Sequence, residues 1–163
     1  MHTPGATNTS TAAAFPQRNY TVDPSGAWNQ RLEVQGFASP VWQDASGNSV
    51  GTAQVLMSQS DGTITIALPE AQFGTPGPNW GFTVVLTGQD GFSSDQARGF
   101  AQPAQAFLFG VCAPGGTAPI CSVDPGTVPK AVDVMTPPGV SQATELDPTK
   151  GAVAIAPVTV PSG

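Results

Sequence analysis

The stretch over residues 80–110 reads WGFTVVLTGQDGFSSDQARGFAQPAQAFLFG and contains two apolar runs separated by a turn. β-Branched and aromatic residues dominate 81–87, and this composition predicts a strand. The Asp90-Gly91 pair predicts a chain reversal, because glycine adopts a positive φ without a Cβ clash. Residues 106–109 are apolar throughout, which predicts a strand covered on both faces. The stretch therefore predicts β-structure, and it carries no catalytic constellation.

The sequence on either side of this stretch predicts further short strands. They are expected over residues 30–37, 53–57, 63–68, 131–135 and 152–160. The strands 53–57 and 63–68 flank a short connection that contains a glycine, so they predict a hairpin. Pro157 cannot donate a backbone hydrogen bond, and it therefore places the last strand at a sheet edge. A turn or loop is expected over 43–51 and a loop over 73–79, with a short helical turn within 140–150.

The composition favours an all-β fold in one domain. The chain has 163 residues with 19 glycines and 17 prolines, which interrupt it too often for long helices. About seven to nine short strands with frequent turns are typical of an antiparallel β-sandwich. Residues 1–18 lack periodicity and predict a disordered tail or linker, which leaves 19–163 as a single sandwich module.

The charge balance excludes several classes of partner. Five basic and eleven acidic residues give a net charge of −6, which repels phosphate backbones and so disfavours nucleic acid. No apolar run is long enough to span a bilayer, and the first residues lack the pattern of an export signal. An extracellular role would therefore require that the signal has been removed or lies on a longer parent chain.

Two cysteines, Cys112 and Cys121, flank a flexible Gly- and Pro-containing loop. The spacing favours a disulfide over free thiols, and closure of such a loop stabilises by about 2 to 3 kcal/mol in the chain-entropy model. A disulfide would indicate an oxidising compartment. A metal pair lacks further thiol or histidine ligands, because the one histidine is His2.

The residue types for common catalytic sites are missing. With His2 alone, in the expected tail, a Ser-His-Asp or Cys-His nucleophile cannot be assembled. Most acidic residues lie near turns, where carboxylates cap the backbone, so a pair of glycosidase acids is a minor alternative. Clustered aspartates could bind calcium, but the sequence contains no Asp-rich run of calcium ligands. The sequence thus predicts no catalytic residue and no metal site.

Aromatic residues with a polar group are better candidates for binding. They are Trp28, Trp42, Trp80 and Tyr20, and exposed rings of this kind stack on the apolar face of a pyranose. Trp28 and Trp80 each precede a predicted strand and are expected to pack in the core. Trp42, between an apolar dipeptide and a polar loop, is the first choice for an exposed contact.

Several landmarks resemble a known family. They are, in order, residues 27–36 (AWNQRLEVQG), Leu68-Pro69, Trp80 with Phe82-Thr83-Val84, residues 88–91 (GQDG), Arg98, residues 107–110 (FLFG), Asp133 with Pro137, and Gln142 with Leu146. Together they resemble the C-terminal module of glucodextranase and related glycoside hydrolases, a surface-layer-homology-like or carbohydrate-binding module with a DOMON-like sandwich. Family members are longer at the front, with an Asp- and Gly-rich segment suited to calcium, and this chain has no such segment.

The resemblance implies a non-catalytic module that binds polysaccharide or cell-wall glycan, or that attaches a protein to the cell envelope. Its partners would be a glycan, envelope proteins or a parent glycoside hydrolase, and it would act outside the cell or at its surface. The alternative is a structural subunit of a surface-layer or envelope assembly. In that role the edge strand over 152–160 would pair with a partner protein.

Overall fold

The computed structural model describes residues 1–13, 18–36, 38–87, 129–131 and 133–162. The predicted turn at Asp90-Gly91, the predicted strand over 106–109 and the predicted disulfide between Cys112 and Cys121 lie outside the described residues. All of residues 88–110 lie outside the described ranges.

Short strands dominate the described residues. The strands are β1 (Tyr20–Val22), β2 (Gln30–Gln35), β3 (Ala38–Asp44), β4 (Ser49–Gly51), β5 (Gln54–Ser58), β6 (Thr63–Ala67), β7 (Gly81–Phe82), β8 (Val85–Leu86), β9 (Asp133–Val134), β10 (Val153–Ile155) and β11 (Val158–Thr159). The helices, α1 (Glu70–Phe73) and α2 (Gln142–Glu145), have one turn each, and 3-10 turns occupy Pro24–Gly26 and Pro148–Lys150. The predicted all-β fold class is confirmed.

The strands form small sheets, most of them antiparallel. Antiparallel pairing joins β2 to β3, β3 to β4, β5 to β6 and β8 to β9. In contrast, β1 and β10 pair in parallel, with Tyr20 opposite Val153 and Val22 opposite Ile155. A parallel pair needs a long crossover connection, and here the two strands are separated by most of the chain.

The chain divides into two compact units, where the sequence predicted one module over 19–163. Unit 1 comprises Met1–Ser10, Ala27–Gly81 and Val160–Gly163, and unit 2 comprises Thr11–Gly26 and Phe82–Thr159. Unit 1 contains β2 to β6 and α1, and unit 2 contains β1, β8 to β11 and α2.

In unit 1 the three-stranded sheet β2-β3-β4 limits the turn or loop that the sequence predicted over 43–51 to a short turn. Strand β3 continues to Asp44 and β4 begins at Ser49, so only the residues between them form the turn. The Asp44 carboxylate accepts hydrogen bonds from the backbone N–H groups of Ser46 and Asn48, each at 2.9 Å. Gly47 has a φ of 86°, which a side chain would strain. The polar residues therefore close a hairpin and do not form an extended loop.

The second hairpin of unit 1, β5-β6, confirms the sequence prediction. Val55 pairs with Ile66 and Met57 pairs with Ile64, so these four apolar side chains share one face. Met57 and Ile64 are both more than half exposed. Leu56, on the opposite face, is the most exposed at 71%. This hairpin contributes little to the core of unit 1.

The first residues are hydrogen-bonded within unit 1, although the sequence predicted a disordered tail or linker over 1–18. The backbone of His2 pairs with that of Gly81, and Ser10 pairs with Trp28. The Nδ1 atom of His2 lies 2.7 Å from the Ala27 carbonyl oxygen. Backbone groups supply most of these contacts, and composition carries no signal for them.

Unit 2 has an aliphatic core. Its buried members are Ala131, Val134, Leu146, Val153 and Ile155, and Tyr20 and Val85 pack against them. Helix α2 confirms the predicted helical turn and begins at a serine cap, because the Ser141 hydroxyl accepts a hydrogen bond from the Thr144 N–H at 3.2 Å.

Two predicted strands are each divided in two in the structure. The strand expected over 81–87 consists of β7 and β8, and the strand expected over 152–160 consists of β10 and β11. Pro157, whose ring is buried, separates the second pair. A proline has no N–H to give to a ladder, so the interruption follows from the sequence that suggested an edge strand.

Candidate functional site

The four aromatic candidates lie in different environments. All three tryptophans are in unit 1, and Tyr20 is in unit 2, half-buried against the aliphatic core. Trp28 is 8% exposed and Trp42 is 3% exposed, whereas Trp80 is only half-buried. Trp80 is therefore the tryptophan whose ring remains partly accessible to a ligand.

Trp42 is buried, and the sequence had favoured it as the exposed contact. Strand β3 directs its indole to one face of the sheet, where Leu32 and Gly51 are its cross-strand neighbours. Its Nε1–H donates a hydrogen bond to Gln30 Oε1 at 3.0 Å, which satisfies the polar atom of the ring inside the core. A Cβ at Gly51 would lie 3.2 Å from the indole, so glycine makes room for the ring. Burial results from the strand register, because alternation places Trp42 on the covered face.

Three rings form an aromatic row that runs from the core to the surface of unit 1. Phe73, at the end of α1, lies between Trp42 and Trp80. Its centroid is 6.2 Å from that of Trp42 with the planes at 56°, and 5.8 Å from that of Trp80 in an edge-to-face arrangement at 62°. Such tilted and edge-to-face contacts are favourable, and they fix the rings relative to one another.

The segment that follows α1 supports the outer ring of this row. Helix α1 ends at Gly74, which has a φ of 82° and donates its N–H to the Glu70 carbonyl at 2.7 Å. The Thr75 hydroxyl donates to Glu70 Oε1 at 2.7 Å and ties the segment to the helix. Glu70 and Thr75 are exposed, and Thr75 directly follows Gly74, whose backbone lies against the indole of Trp80.

Trp28 belongs to a separate polar cluster on the β2-β3 sheet. The guanidinium carbon of Arg31 lies 5.7 Å from the Trp28 ring, within the range of a cation–π contact. Arg31 Nη2 donates to Gln43 Oε1 at 2.8 Å, and Nη1 lies 3.4 Å from Glu33 Oε1. Burial raises the pKa of Glu33, and the nearby Arg31 charge partly offsets that increase. The cluster covers Trp28 with its own side chains, so that ring offers no open face.

Each carboxylate in the described residues has a polar partner. The eight are Asp23, Glu33, Asp44, Asp61, Glu70, Asp133, Glu145 and Asp147. Hydrogen bonds from Asn48 to Asp44, and from Thr149 to Asp147, lower the pKa of these two carboxyls. Asp44 and Asp147 thus act in turns, as the sequence predicted for Asp147, and neither is poised as a general acid.

Two other kinds of feature are absent from the part of the chain that the structure describes. Within those residues no group of three or more histidine, cysteine, aspartate or glutamate side chains could hold a metal ion. The same residues contain no helix long and apolar enough to cross a membrane.

Sequence reasoning missed the residues that support the candidate tryptophan. Phe73 was assigned to a loop, yet it is the central ring of the row. Its position at the end of a one-turn helix, between Pro69 and Gly74, was the available signal, because proline and glycine commonly bound short helices. The contact between Gln30 and Trp42 is a second one that the sequence does not predict, because it depends on the pairing register of β2 with β3.

Comparison with known proteins gives one match. No curated protein and no solved structure matches the chain. The model of one family, described as the C-terminal binding module, SLH-like, of glucodextranase, matches residues 1–159. The match starts in the segment that pairs with Trp28 and Gly81, and it extends past the aliphatic core of unit 2. The chain therefore belongs to the family of C-terminal, SLH-like binding modules of glucodextranase.

Proposed function

We propose that this module binds a glycan without catalysis, and that Trp80 provides the stacking surface. The observation that carries the proposal is the contrast between Trp80 and the two buried tryptophans. A pyranose presents C–H groups on one face, and a partly exposed indole held by a neighbouring ring suits that surface. The family membership supports a binding role, and carboxylates that are hydrogen-bonded in turns, such as Asp44, give no support to hydrolysis.

The polar surroundings of Trp80 supply the second requirement of a sugar site. Glu70 and Thr75 are exposed and lie on the segment that carries the aromatic row. Sugar hydroxyls both donate and accept hydrogen bonds, so a carboxylate and a hydroxyl beside an aromatic ring fit their chemistry. We place the site outside the cell or at its surface, attached to an envelope glycan or an extracellular polysaccharide.

The experiment that tests this proposal is a titration of the folded, non-reduced protein with soluble dextran, starch and purified cell-wall glycans, followed by tryptophan fluorescence. We expect a saturable shift with at least one of them. Trp80→Ala should weaken that binding at least about tenfold, because it removes the stacking surface. The matched control is Leu56→Ala, which deletes another exposed apolar side chain of unit 1 and should leave the affinity unchanged.

Two results would contradict the proposal. One is the absence of a saturable shift with every glycan. The other is a Trp80→Ala variant that binds as tightly as the parent, which would separate glycan binding from this ring.

A second candidate function is that of a structural subunit in an envelope assembly. Strand β10 has one strand partner among the described residues, β1, and the sheet that they form has two strands. An edge of this kind accepts a further strand from another protein. Light scattering that finds only monomers, together with no protein recovered from envelope extracts, would count against this role.

A further inference from the structure

Asn79, immediately before Trp80, has a backbone conformation that is uncommon for a residue with a side chain. Its φ is 65°, and among the described non-glycine residues only Asn19, at 57°, shares a positive value. Asparagine tolerates this left-handed region better than alanine or a branched residue does. Asparagine at position 79 is thus suited to the left-handed backbone conformation that this position requires.

That conformation places Trp80 in a fixed backbone frame. The N–H of Asn79 donates to the Val160 carbonyl at 3.0 Å, and the N–H of Val160 donates to the Trp80 carbonyl at 2.8 Å. The N–H of Trp80 itself donates to the Gly77 carbonyl at 3.2 Å. Three hydrogen bonds therefore hold the two residues where the chain reverses, and the direction of the Trp80 Cα–Cβ bond follows from them.

The indole of Trp80 lies against the backbone of two glycines, which have no side chains. A Cβ at Gly74 would lie 3.3 Å from Trp80 Cη2, and a Cβ at Gly77 would lie 3.9 Å from Nε1. The Nε1–Cζ2–Cη2 edge of the ring is accordingly packed on the 74–77 segment, while Phe73 makes the edge-to-face contact. These contacts form only if the ring leaves the backbone in the direction that Asn79 sets.

We infer that Asn79 is a positioning residue, which orients the Trp80 indole for ligand binding through its left-handed backbone conformation. The consequence for affinity depends on the proposed glycan-binding function, whereas the consequence for the ring itself does not. A ring already held in its bound orientation loses less freedom when a ligand stacks on it, so the affinity is higher. A residue that disfavours positive φ would populate other backbone conformations and reduce the fraction of competent rings.

The test uses three variants: Asn79→Ala, Asn79→Gly and Asn19→Ala. Alanine disfavours the left-handed region, whereas glycine adopts it freely. Asn19→Ala is the matched control, since it makes the same chemical change at the other positive-φ asparagine, in unit 2. Two quantities are measured for each: quenching of tryptophan fluorescence by acrylamide without any glycan, and the affinity for whichever glycan the parent protein binds.

We expect Asn79→Ala to alter the quenching and to weaken glycan binding about three- to tenfold. The quenching reports mainly on Trp80, because Trp28 and Trp42 are buried. Asn79→Gly should restore both quantities to the parent values, and Asn19→Ala should change neither. A loss of stability alone would be shared by the two alanine variants, so it would not reproduce this pattern.

The inference is overturned if Asn79→Ala matches the parent protein in quenching, or if Asn79→Gly is as impaired as Asn79→Ala. It is also overturned if Asn19→Ala produces the same change. If the parent protein binds no glycan, the proposed function fails, and the quenching measurements still decide whether Asn79 positions the ring.

Discussion

Unit 1 and unit 2 bury different kinds of side chain. Unit 1 is organised around Trp42, whose ring contacts Phe73, and this contact leads outward to Trp80. Unit 2 is organised around aliphatic residues such as Leu146 and Ile155, which are 1% and 0% exposed. An aliphatic core excludes water and stabilises the fold, but it presents nothing directional to a ligand. An aromatic row both stabilises the fold and presents a directional surface to a ligand, because its inner ring lies in the core and its outer ring lies at the surface.

Loss of a buried side chain should therefore have different consequences in the two units. Loss of a core residue in unit 2 should cost stability alone. Loss of a core ring in unit 1 should cost stability and also loosen the outer ring that we assign to binding. Variants made in pairs, one in each unit, distinguish these two outcomes.

The largest effect is expected from truncation of the two cores. Trp42→Ala should lower the free energy of unfolding by about 3 to 5 kcal/mol, because it leaves a cavity and removes the donor to Gln30 Oε1. Leu146→Ala should cost about 2 to 5 kcal/mol through its cavity. Urea unfolding measures both, and glycan titration under folding conditions should find weaker binding only for Trp42→Ala. Equal weakening in the two variants would remove the distinction between the units.

An intermediate effect is expected where glycine lets two groups approach closely. A Cβ at Gly26 would lie 2.6 Å from the Pro157 ring in unit 2, whereas a Cβ at Gly51 would lie 3.2 Å from the Trp42 ring in unit 1. Overpacking typically costs about 1 to 3 kcal/mol, so Gly26→Ala should fall near the upper end and Gly51→Ala near the lower. Thermal or urea unfolding gives the order, and a larger cost at Gly51 would show that the aromatic contact is the stiffer one.

The smallest effect is the pH dependence of the polar cluster in unit 1. Burial raises the pKa of Glu33 above its usual value of 4.5, so the folded state holds the proton more tightly than the unfolded state does. The stability that this proton contributes is present below pH 4.5 and is lost as the pH rises through the folded pKa. Asp147 in unit 2 has a lowered pKa, so its contribution is present above its usual value of 3.8 and is lost on acidification.

The measurement is the free energy of unfolding across this pH range for the parent protein and for Glu33→Gln, with Asp147→Asn as the unit 2 control. The difference between the parent protein and Glu33→Gln should shift against the parent as the pH rises. For Asp147→Asn the difference should shift in favour of the parent. Parallel pH profiles for the parent and Glu33→Gln would show that the Glu33 carboxyl is not desolvated in solution.

Much of the fold was predictable because local chemistry determines it. The β5-β6 hairpin follows from β-branched runs around a glycine-containing turn, and the α2 turn begins at its serine cap. Asp147 was correctly expected to serve the backbone of a turn, because its carboxylate accepts a hydrogen bond from the Thr149 N–H two residues on. In each case the residues that decide the structure lie within a few positions of one another.

The candidate site was less predictable because it depends on residues that are far apart in the sequence. Trp42 stands between an apolar dipeptide and a polar turn, a context that favours exposure, yet its strand register buries it beside Gln30 and Gly51. Trp80 precedes a strand and was expected to be packed, yet it is only half-buried, with its ring against the backbone at Gly74 and Gly77. Neighbouring residues do not encode either outcome.

The all-β class and the family resemblance follow from the sequence alone. These properties depend on composition and on short patterns, which persist whatever the chain packs against. Only the tertiary structure shows the parallel pairing of β1 with β10, the division into two units and the partial exposure of Trp80. The reason is physical: exposure depends on register and on contacts between distant segments, and a shift of one residue in a strand exchanges its buried and exposed faces.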